Sequence, residues 1–353
     1  MSESTKLALA ELTTMGVGGV PAEMHEAHSR EELIELSLQT WKAGEDWLLL
    51  GGGSNIVAAD ELEELHVIRV RSLGIESDNH PEKPVWPTKQ IWRVQAGESW
   101  DGLVAKTVEA GLAGLEAMSG IPGSVGAAPV QNIGAYGQEV AETIVRVEFL
   151  DYQTRELHIL ENSDLDFGYR DSAIKRGRQG VITWVEFQLE NHGGLSKPTE
   201  STQVAQALGL QLAGQAPLAE IRDVVLRLRA AKGMLYDPHD QDSWSCGSFF
   251  TNPIVSHSFA RTLPSEAPRW ETEADDGLTV KLSAAWLIEN SGFTKGFQIA
   301  GSKAAISSKH ALAITNRGGA SAQEVVQLAS LVQAQVMNRF GINLVPEPNL
   351  IGF

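Results

Sequence analysis

Residues 119–139 read SGIPGSVGAAPVQNIGAYGQE, and the rest of the chain is organised around them. Five glycines fall in this stretch, Gly120, Gly123, Gly126, Gly134 and Gly137, and its only charge is Glu139 at the end. Flexible linkers are polar, whereas this one is mostly Ile, Val, Ala and Pro. Helices and strands tolerate few glycines. The stretch therefore predicts an ordered but irregular loop lying against something, whose amides need partners. Successive glycine-rich amides form an anion-binding nest, so a polyanionic cofactor would supply those partners. A long buried loop packed only on its own domain is the alternative, and length alone favours it.

A second stretch upstream shifts that balance. Residues 47–50, Trp-Leu-Leu-Leu, read as a short apolar strand that runs directly into Gly51-Gly52-Gly53-Ser54-Asn55. A strand emptying into three glycines exposes a row of amides where phosphate can sit. Ser54 and Asn55 add polar side chains. This is neither the G-x-G-x-x-G fingerprint nor a Walker motif. With the long glycine-rich loop about 65 residues later, the two loops make a stronger signal than either alone.

Composition narrows the class. The chain has 353 residues, enough for two or three domains. Its 28 basic and 45 acidic residues give a net charge of −17, which argues against broad nucleic-acid or anionic-membrane binding but not against an anionic ligand in a locally basic pocket. One cysteine, Cys246, excludes an intrachain disulfide and fits a reducing compartment. The opening MSESTKLALAEL lacks the pattern of a secretion signal, and no apolar run reaches membrane-spanning length. The expectation is a soluble, cytoplasmic protein, with a monomer favoured.

Helices are expected at 29–44, 99–111, 217–233, 283–291 and 321–341, with capping boxes at Ser29/Glu32 and Ser321/Glu324. The first buries Ile34, Leu38 and Trp41, and the third buries Leu218, Ile221, Val225 and Leu228. The third carries Arg222, Arg227, Arg229 and Lys232 on its other face, which such patterning usually gives to solvent, with Lys232, ahead of a glycine and Asp237-Pro238, alternatively at a domain boundary. Strands are expected at 66–71, 91–96, 145–151, 156–160, 181–189 and 342–345, with strict alternation at 181–189. Residues 191–216 read as a polar surface excursion, and 257–282 as an acidic, proline-bearing insertion. His25 and His28 lack further ligands, so no metal is expected.

Three smaller motifs carry candidate chemistry. FGYRDS at 167–172 is either a turn with a surface Arg–Asp pair, worth little, or an arginine aimed at a carboxylate or phosphate. GSFFTNP at 247–253 sets the Ser248 hydroxyl in an apolar surrounding. A serine nucleophile would need a base, but a proton donor needs less support. Pro346 and Pro348 hold Glu347 extended, either as a rigid tail or as a placed carboxylate.

Together with GGGSN, GIPGSVGAAPVQNIGAYGQE and the run from Ala284 to Gly296, these segments resemble the UDP-N-acetylenolpyruvoylglucosamine reductase (MurB) family of cell-wall synthesis, in its longer form. They run in family order across nearly the whole chain. The resemblance implies an α+β fold: an FAD-binding module of two α+β subdomains, of the vanillyl-alcohol-oxidase type, and a C-terminal α+β substrate-binding domain. The parts fall at 1–73 with 342–353, 74–235 and 236–341. It implies non-covalent FAD, NADPH as reductant, and UDP-N-acetylglucosamine enolpyruvate reduced to UDP-N-acetylmuramate. It assigns catalysis to Arg170, Ser248 and Glu347. Cofactor contacts fall on Gly51, Gly52, Gly53, Ser54 and Asn55, on Gly120, Ile121, Gly123, Ser124, Gly126 and Ala127, and on Asn132, Gly134, Ala135, Tyr136 and Gly137. Substrate contacts fall on Tyr136, Tyr169, Arg170, Lys232 and Asn252, with Lys232 at the diphosphate. One departure stands out: relatives carry a nucleotide-clamping tyrosine where residues 197–208 have none, and Ser201 aligns there. That puts nucleotide affinity, not chemistry, in doubt. A flavin oxidase for another substrate would leave GSFFTNP and Glu347 without a purpose. A binding protein without turnover would leave Arg170, Ser248 and Glu347 unexplained.

Overall fold

A computed structural model describes residues 6–77, 88–274 and 277–353. Residues 1–5, part of the stretch read against a secretion signal, lie outside the described residues, as do 275–276 of the expected insertion. The architecture is α+β and divides into two compact units. One comprises Pro21–Gly53 and Glu63–Ala230. The other comprises Ala8–Val20, Ser54–Leu62 and Ala231–Phe353.

The first unit holds two sheets. The smaller has the strand order Pro21–Ala27, Leu62–Val70, Asp46–Leu50, the last two parallel with Leu50 opposite Arg69. Helix Arg30–Ala43 begins where the Ser29 hydroxyl accepts the Glu32 amide at 3.1 Å and ends at Gly44, whose φ of 79° suits glycine. The expected capping box is only half present, because the Glu32 carboxylate takes the His28 amide at 2.7 Å. Its buried face is Leu33, Ser37 and Trp41, while Ile34 and Leu38 are only partly covered. Ser37 can be buried because its hydroxyl donates back to the Leu33 carbonyl at 2.7 Å.

The larger sheet is antiparallel, in the order Leu157–Glu161, Ile144–Asp151, Gly180–Glu190, Lys89–Gln95, Ile75–Ser77. Alternation was expected in the middle strand, yet residues 181–187 are all buried. Both faces of that strand are covered. Val181 joins a cluster with Leu33, Trp41 and Ile68, and Phe187 joins Trp100, Leu103 and Phe149. Helix Trp100–Glu109 supplies Trp100, fully buried and edge-on to Phe187 at 6.1 Å. Such a pair adds about 0.5–1.5 kcal/mol beyond its area.

The excursion at 191–216 is less exposed than its polarity suggested. It contains helix Thr202–Leu208, capped by Ser201, and buries Val204 and Ala216 against Ile221, Val224 and Val225 of helix Leu218–Ala231.

In the second unit, helix Ala322–Phe340 has the reciprocal capping box, with Ser321 accepting the Glu324 amide at 3.1 Å and Glu324 accepting the Ser321 amide at 2.8 Å. Its stripe of Val325, Leu328, Val332 and Val336 packs in one core with Phe249, Phe250, Leu287 and Leu344. The region read as an insertion, 257–282, holds a short helix, His257–Ala260, and two strands of a sheet whose order is Ile254–Ser256, Gly277–Leu282, Arg269–Ala274, and it contributes Val280 and Leu282 to that core. Residues 342–345 are extended but form no strand. The strand comes after the prolines, where Asn349–Ile351 pairs in parallel with Ile56–Ala58. Pro346 and Pro348 have no N–H to donate to a ladder. Among the described residues, no helix is long and apolar enough to cross a membrane.

Candidate functional site

The two glycine loops converge within the first unit. A Cβ on Gly52 would stand 2.6 Å from the Gly123 Cα, one on Gly51 2.3 Å from the Ser124 Oγ, and one on Gly126 2.6 Å from the Ala96 Cβ. Only glycine permits that backbone-to-backbone approach. Among the described residues, no acceptor takes the amides of Gly52 and Gly53. Ser124, Gly126 and Ala127 belong to a 3-10 turn, Val125–Gln131, and its flank. Asp101 fixes the loop's entrance by accepting the Gly120 amide at 2.6 Å while Arg222 grips it at 2.6 and 2.8 Å. Burial alone would raise the Asp101 pKa. The bonds from Arg222 and Gly120 outweigh it, and the carboxyl is held below its usual range. These observations fit a pyrophosphate-bearing cofactor such as FAD: a backbone cradle with unpaired amides, steadied by an ion pair one layer out.

The far end of the long loop holds Arg170. Asn132 sits at φ 46°, and Gly134–Ala135 pairs with Gln138–Glu139 around a turn whose corners, Tyr136 and Gly137, have φ 49° and 89°. Arg170, itself at φ 53°, donates to the carbonyls of Asn132 and Gly134 and lies 3.6 Å from Glu139. Its guanidinium stands 5.3 Å from the Tyr169 ring centre. Asn132 donates to Glu139 at 2.8 Å and to the Gly168 carbonyl at 2.9 Å, stitching the loop to FGYRDS. The structure thus brings Asn132, Gly134, Ala135, Tyr136, Tyr169 and Arg170 together. Tyr136 is raised above its ordinary pKa by burial, opposed by the charge of Arg229. Arg229, assigned to solvent from its spacing, is only 8% exposed, and burial pushes its pKa down against Tyr136 and Asp101.

The segments bearing Ser248 and Glu347 adjoin in the second unit, although 98 residues lie between the two in sequence. The Glu347 amide donates to the Phe249 carbonyl at 2.9 Å, Thr251 donates to Val345 at 3.0 Å, and Phe250 bridges Pro346. Asn55, expected at the cofactor, donates to the Glu347 carbonyl at 3.3 Å and accepts the Asn349 amide at 3.0 Å. Gly247, at φ 72°, turns the chain into Ser248, which is partly buried. Cys246 beneath is pushed up to about 12, by burial first and then by the negative charge of Glu347. The thiol is therefore not a nucleophile. Asn252 accepts the Ala284 amide at 3.0 Å, which leaves its donor end for a ligand. Lys232 follows helix Leu218–Ala231 and precedes Gly233 at φ 67°. Ser201 accepts the Val204 amide, so at the position of the expected tyrosine the chain has a helix cap.

Sequence reasoning missed Asp101, Arg222 and Arg229 as parts of the loop's support. Asp101 carried no signal, and the arginines lay on a face that charge patterning assigns to water.

A family model described as FAD binding domain matches residues 13–159, and one described as UDP-N-acetylenolpyruvoylglucosamine reductase, C-terminal domain, matches residues 237–351. The UDP-N-acetylenolpyruvoylglucosamine reductase of Leifsonia xyli subsp. xyli is 50% identical over 98% of this chain and 98% of its own. That of Mycobacterium sp. (strain MCS) is 44% identical over 98% of this chain and 95% of its own. The crystal structure of UDP-N-acetylenolpyruvylglucosamine reductase (MurB) from Thermus caldophilus aligns with a TM-score of 0.65 at 26% identity, covering 99% of this chain and 100% of that one. The chain belongs to the UDP-N-acetylenolpyruvoylglucosamine reductase family, flavin oxidoreductases of peptidoglycan precursor synthesis that use FAD and NADPH.

Proposed function

We propose that the chain catalyses the NADPH-dependent reduction of UDP-N-acetylglucosamine enolpyruvate to UDP-N-acetylmuramate, in the cytoplasm. The observation that carries this reading is the bond from the Glu347 amide to the Phe249 carbonyl, which puts the segments bearing Ser248 and Glu347 side by side, in a chain 50% identical to a named reductase. FAD, when bound, relays a hydride from NADPH to the enolpyruvyl double bond. Residues Gly51, Gly52, Gly53 and Ser54 and the loop from Gly120 to Ala127 would hold its pyrophosphate. Gly134 to Gly137 would line the flavin.

Hydride arriving at the methylene carbon leaves negative charge on the adjacent carbon and its carboxylate. Stabilising that enolate is the large electrostatic requirement. Arg170 supplies a charge whose direction is fixed by two carbonyls and by Glu139. The proton that completes the reaction comes from the Ser248 hydroxyl, and Glu347 assists the enolate or the proton path. General acid catalysis contributes roughly 10²–10⁴-fold. Tyr136, Tyr169 and Asn252 contact the substrate, and Lys232 pairs with its diphosphate. On this reading the chain divides by role at 1–73 with 342–353, 74–235 and 236–341.

The test is anaerobic spectroscopy. Flavin bands are expected to bleach with NADPH and to return on adding the enolpyruvyl sugar nucleotide. Bleaching without return would sink the substrate. The absence of a flavin spectrum after adding FAD would sink the reading of both glycine loops.

A further inference from the structure

Asn132 and Ser172 are polar side chains only 2% and 0% exposed, and no step above requires them. By resemblance Asn132 falls at the cofactor and Ser172 has no role. In the structure the Asn132 side chain is spent within the protein. Its Oδ1 accepts the Ala141 amide at 3.1 Å, and its Nδ2 donates to Glu139 at 2.8 Å and to the Gly168 carbonyl at 2.9 Å. An amide side chain has two hydrogens to give, so none is left for a cofactor. The Ser172 hydroxyl donates to the Val130 carbonyl at 2.6 Å and accepts the Lys175 amide at 3.1 Å.

These bonds fall on either side of Arg170. The Gly168 amide donates to the Asp171 carbonyl at 3.0 Å and the Asp171 amide to the Gly168 carbonyl at 3.2 Å, so residues 168–171 form a tight turn. Asn132 holds that turn at Gly168, before Arg170, and Ser172 holds the chain just after it. Both anchor points, Val130 and Asn132, lie at the end of the 3-10 turn Val125–Gln131, within the glycine-rich loop. Between the two holds Arg170 keeps φ at 53°, a left-handed conformation that a residue with a Cβ keeps only where its surroundings enforce it. The same loop supplies the acceptors for the guanidinium, the carbonyls of Asn132, at 3.2 Å, and of Gly134. Glu139, 3.6 Å from the guanidinium, is itself held by Asn132. One asparagine thus fixes the backbone that carries the arginine and the carboxylate that faces it.

We propose that Asn132 and Ser172 are positioning residues for the reduction: they clasp the Arg170 turn onto the glycine-rich loop and so fix the direction of its guanidinium. This rests on the reading of Arg170 as the group that stabilises the enolate.

The test is Asn132→Asp in the FAD-loaded enzyme. The substitution keeps the shape and the Oδ1 acceptor, removes both donors and sets a second carboxylate beside Glu139. In stopped-flow absorbance, reoxidation of the reduced flavin by saturating enolpyruvyl sugar nucleotide should slow about 10- to 100-fold, the scale on which a misplaced group costs rate. Flavin reduction by NADPH and the FAD Kd, read by flavin fluorescence, should be unchanged. Arg170→Ala supplies the readout that a merely structural role would not move. Because Asn132 acts through Arg170, adding Asn132→Asp to Arg170→Ala should slow reoxidation no further. Ser172→Ala should show a smaller loss and the same absence of a further effect, and it carries the test should Asn132→Asp not fold. Weaker FAD binding with both half-reactions slowed overturns the proposal and returns Asn132 to the cofactor. Full additivity with Arg170→Ala, or an unchanged reoxidation rate in the folded variants, also overturns it and leaves the function standing. Full-rate reoxidation in Arg170→Ala itself overturns the enolate reading of Arg170 and the proposal with it.

Discussion

On the proposed reading Ser248 is the residue on which the chemistry turns, as the donor of a proton rather than as a nucleophile. Cys246, its near neighbour in sequence, has its pKa raised to about 12 and cannot compete. Ser248→Ala should lower kcat by roughly 10²–10⁴-fold, the usual range for a lost general acid. Bleaching of the flavin by NADPH should persist, because no proton goes to carbon in that step. Stopped-flow absorbance separates the two half-reactions, and an unchanged rate of flavin reoxidation by the sugar nucleotide would remove Ser248 from the mechanism. Arg170 shows what residue type alone could not settle. FGYRDS reads equally as a surface turn, and the surface reading survives in part, since Asp171 pairs with Arg176. Arg170 itself, at positive φ, bonds to the long loop.

At the scale of elements, caps and stripes were legible because they are local. Ser29, Ser99, Ser283 and Ser321 each accept an amide three residues on, as their spacing predicts. Burial was less legible wherever a second element covers a face that looks polar or alternating. The contact between helix Arg30–Ala43 and the larger sheet is an example. Arg30 donates to Glu148 at 2.5 and 2.9 Å, and Thr183 donates to the same carboxylate at 2.6 Å. Burial raises the Glu148 pKa, but those bonds outweigh it and hold it below the usual value. A carboxylate depressed in the folded state adds stability above its unfolded pKa, and that stability is lost as the pH falls through the folded one. Arg30→Ala should cost about 2 kcal/mol, between the limits for exposed and buried pairs, because the arginine is partly exposed. The difference in Tm between the two proteins should be full at pH 7 and shrink below about pH 4. A difference independent of pH would assign the loss to packing of the arginine stem.

For the whole molecule, the decisive contacts join ends of the chain. Asn349–Ile351 lies beside Ile56–Ala58, and Asn55 holds the backbone on either side of Pro348. Removing residues 349–353 should lower the Tm and abolish most turnover, because Glu347 then loses the anchor that sets its position. A shortened protein with full kcat would show that the two prolines alone suffice. The sequence by itself determined the α+β class, the caps, the glycine loops and the motifs that mark the family, since each depends on residue types at short spacing. Tertiary structure decided the rest: that Arg229 is buried, that the stretch at 257–282 contributes two strands of a sheet to a core, that Asp101 serves as an anchor, and that the segment of Ser248 adjoins that of Glu347 through Phe249. A lone aspartate has no pattern to read, and a charged helix face looks the same whether water or a neighbouring loop covers it. Only the closing of long loops brings such groups their partners, because loop closure costs little more entropy at long separation than at short.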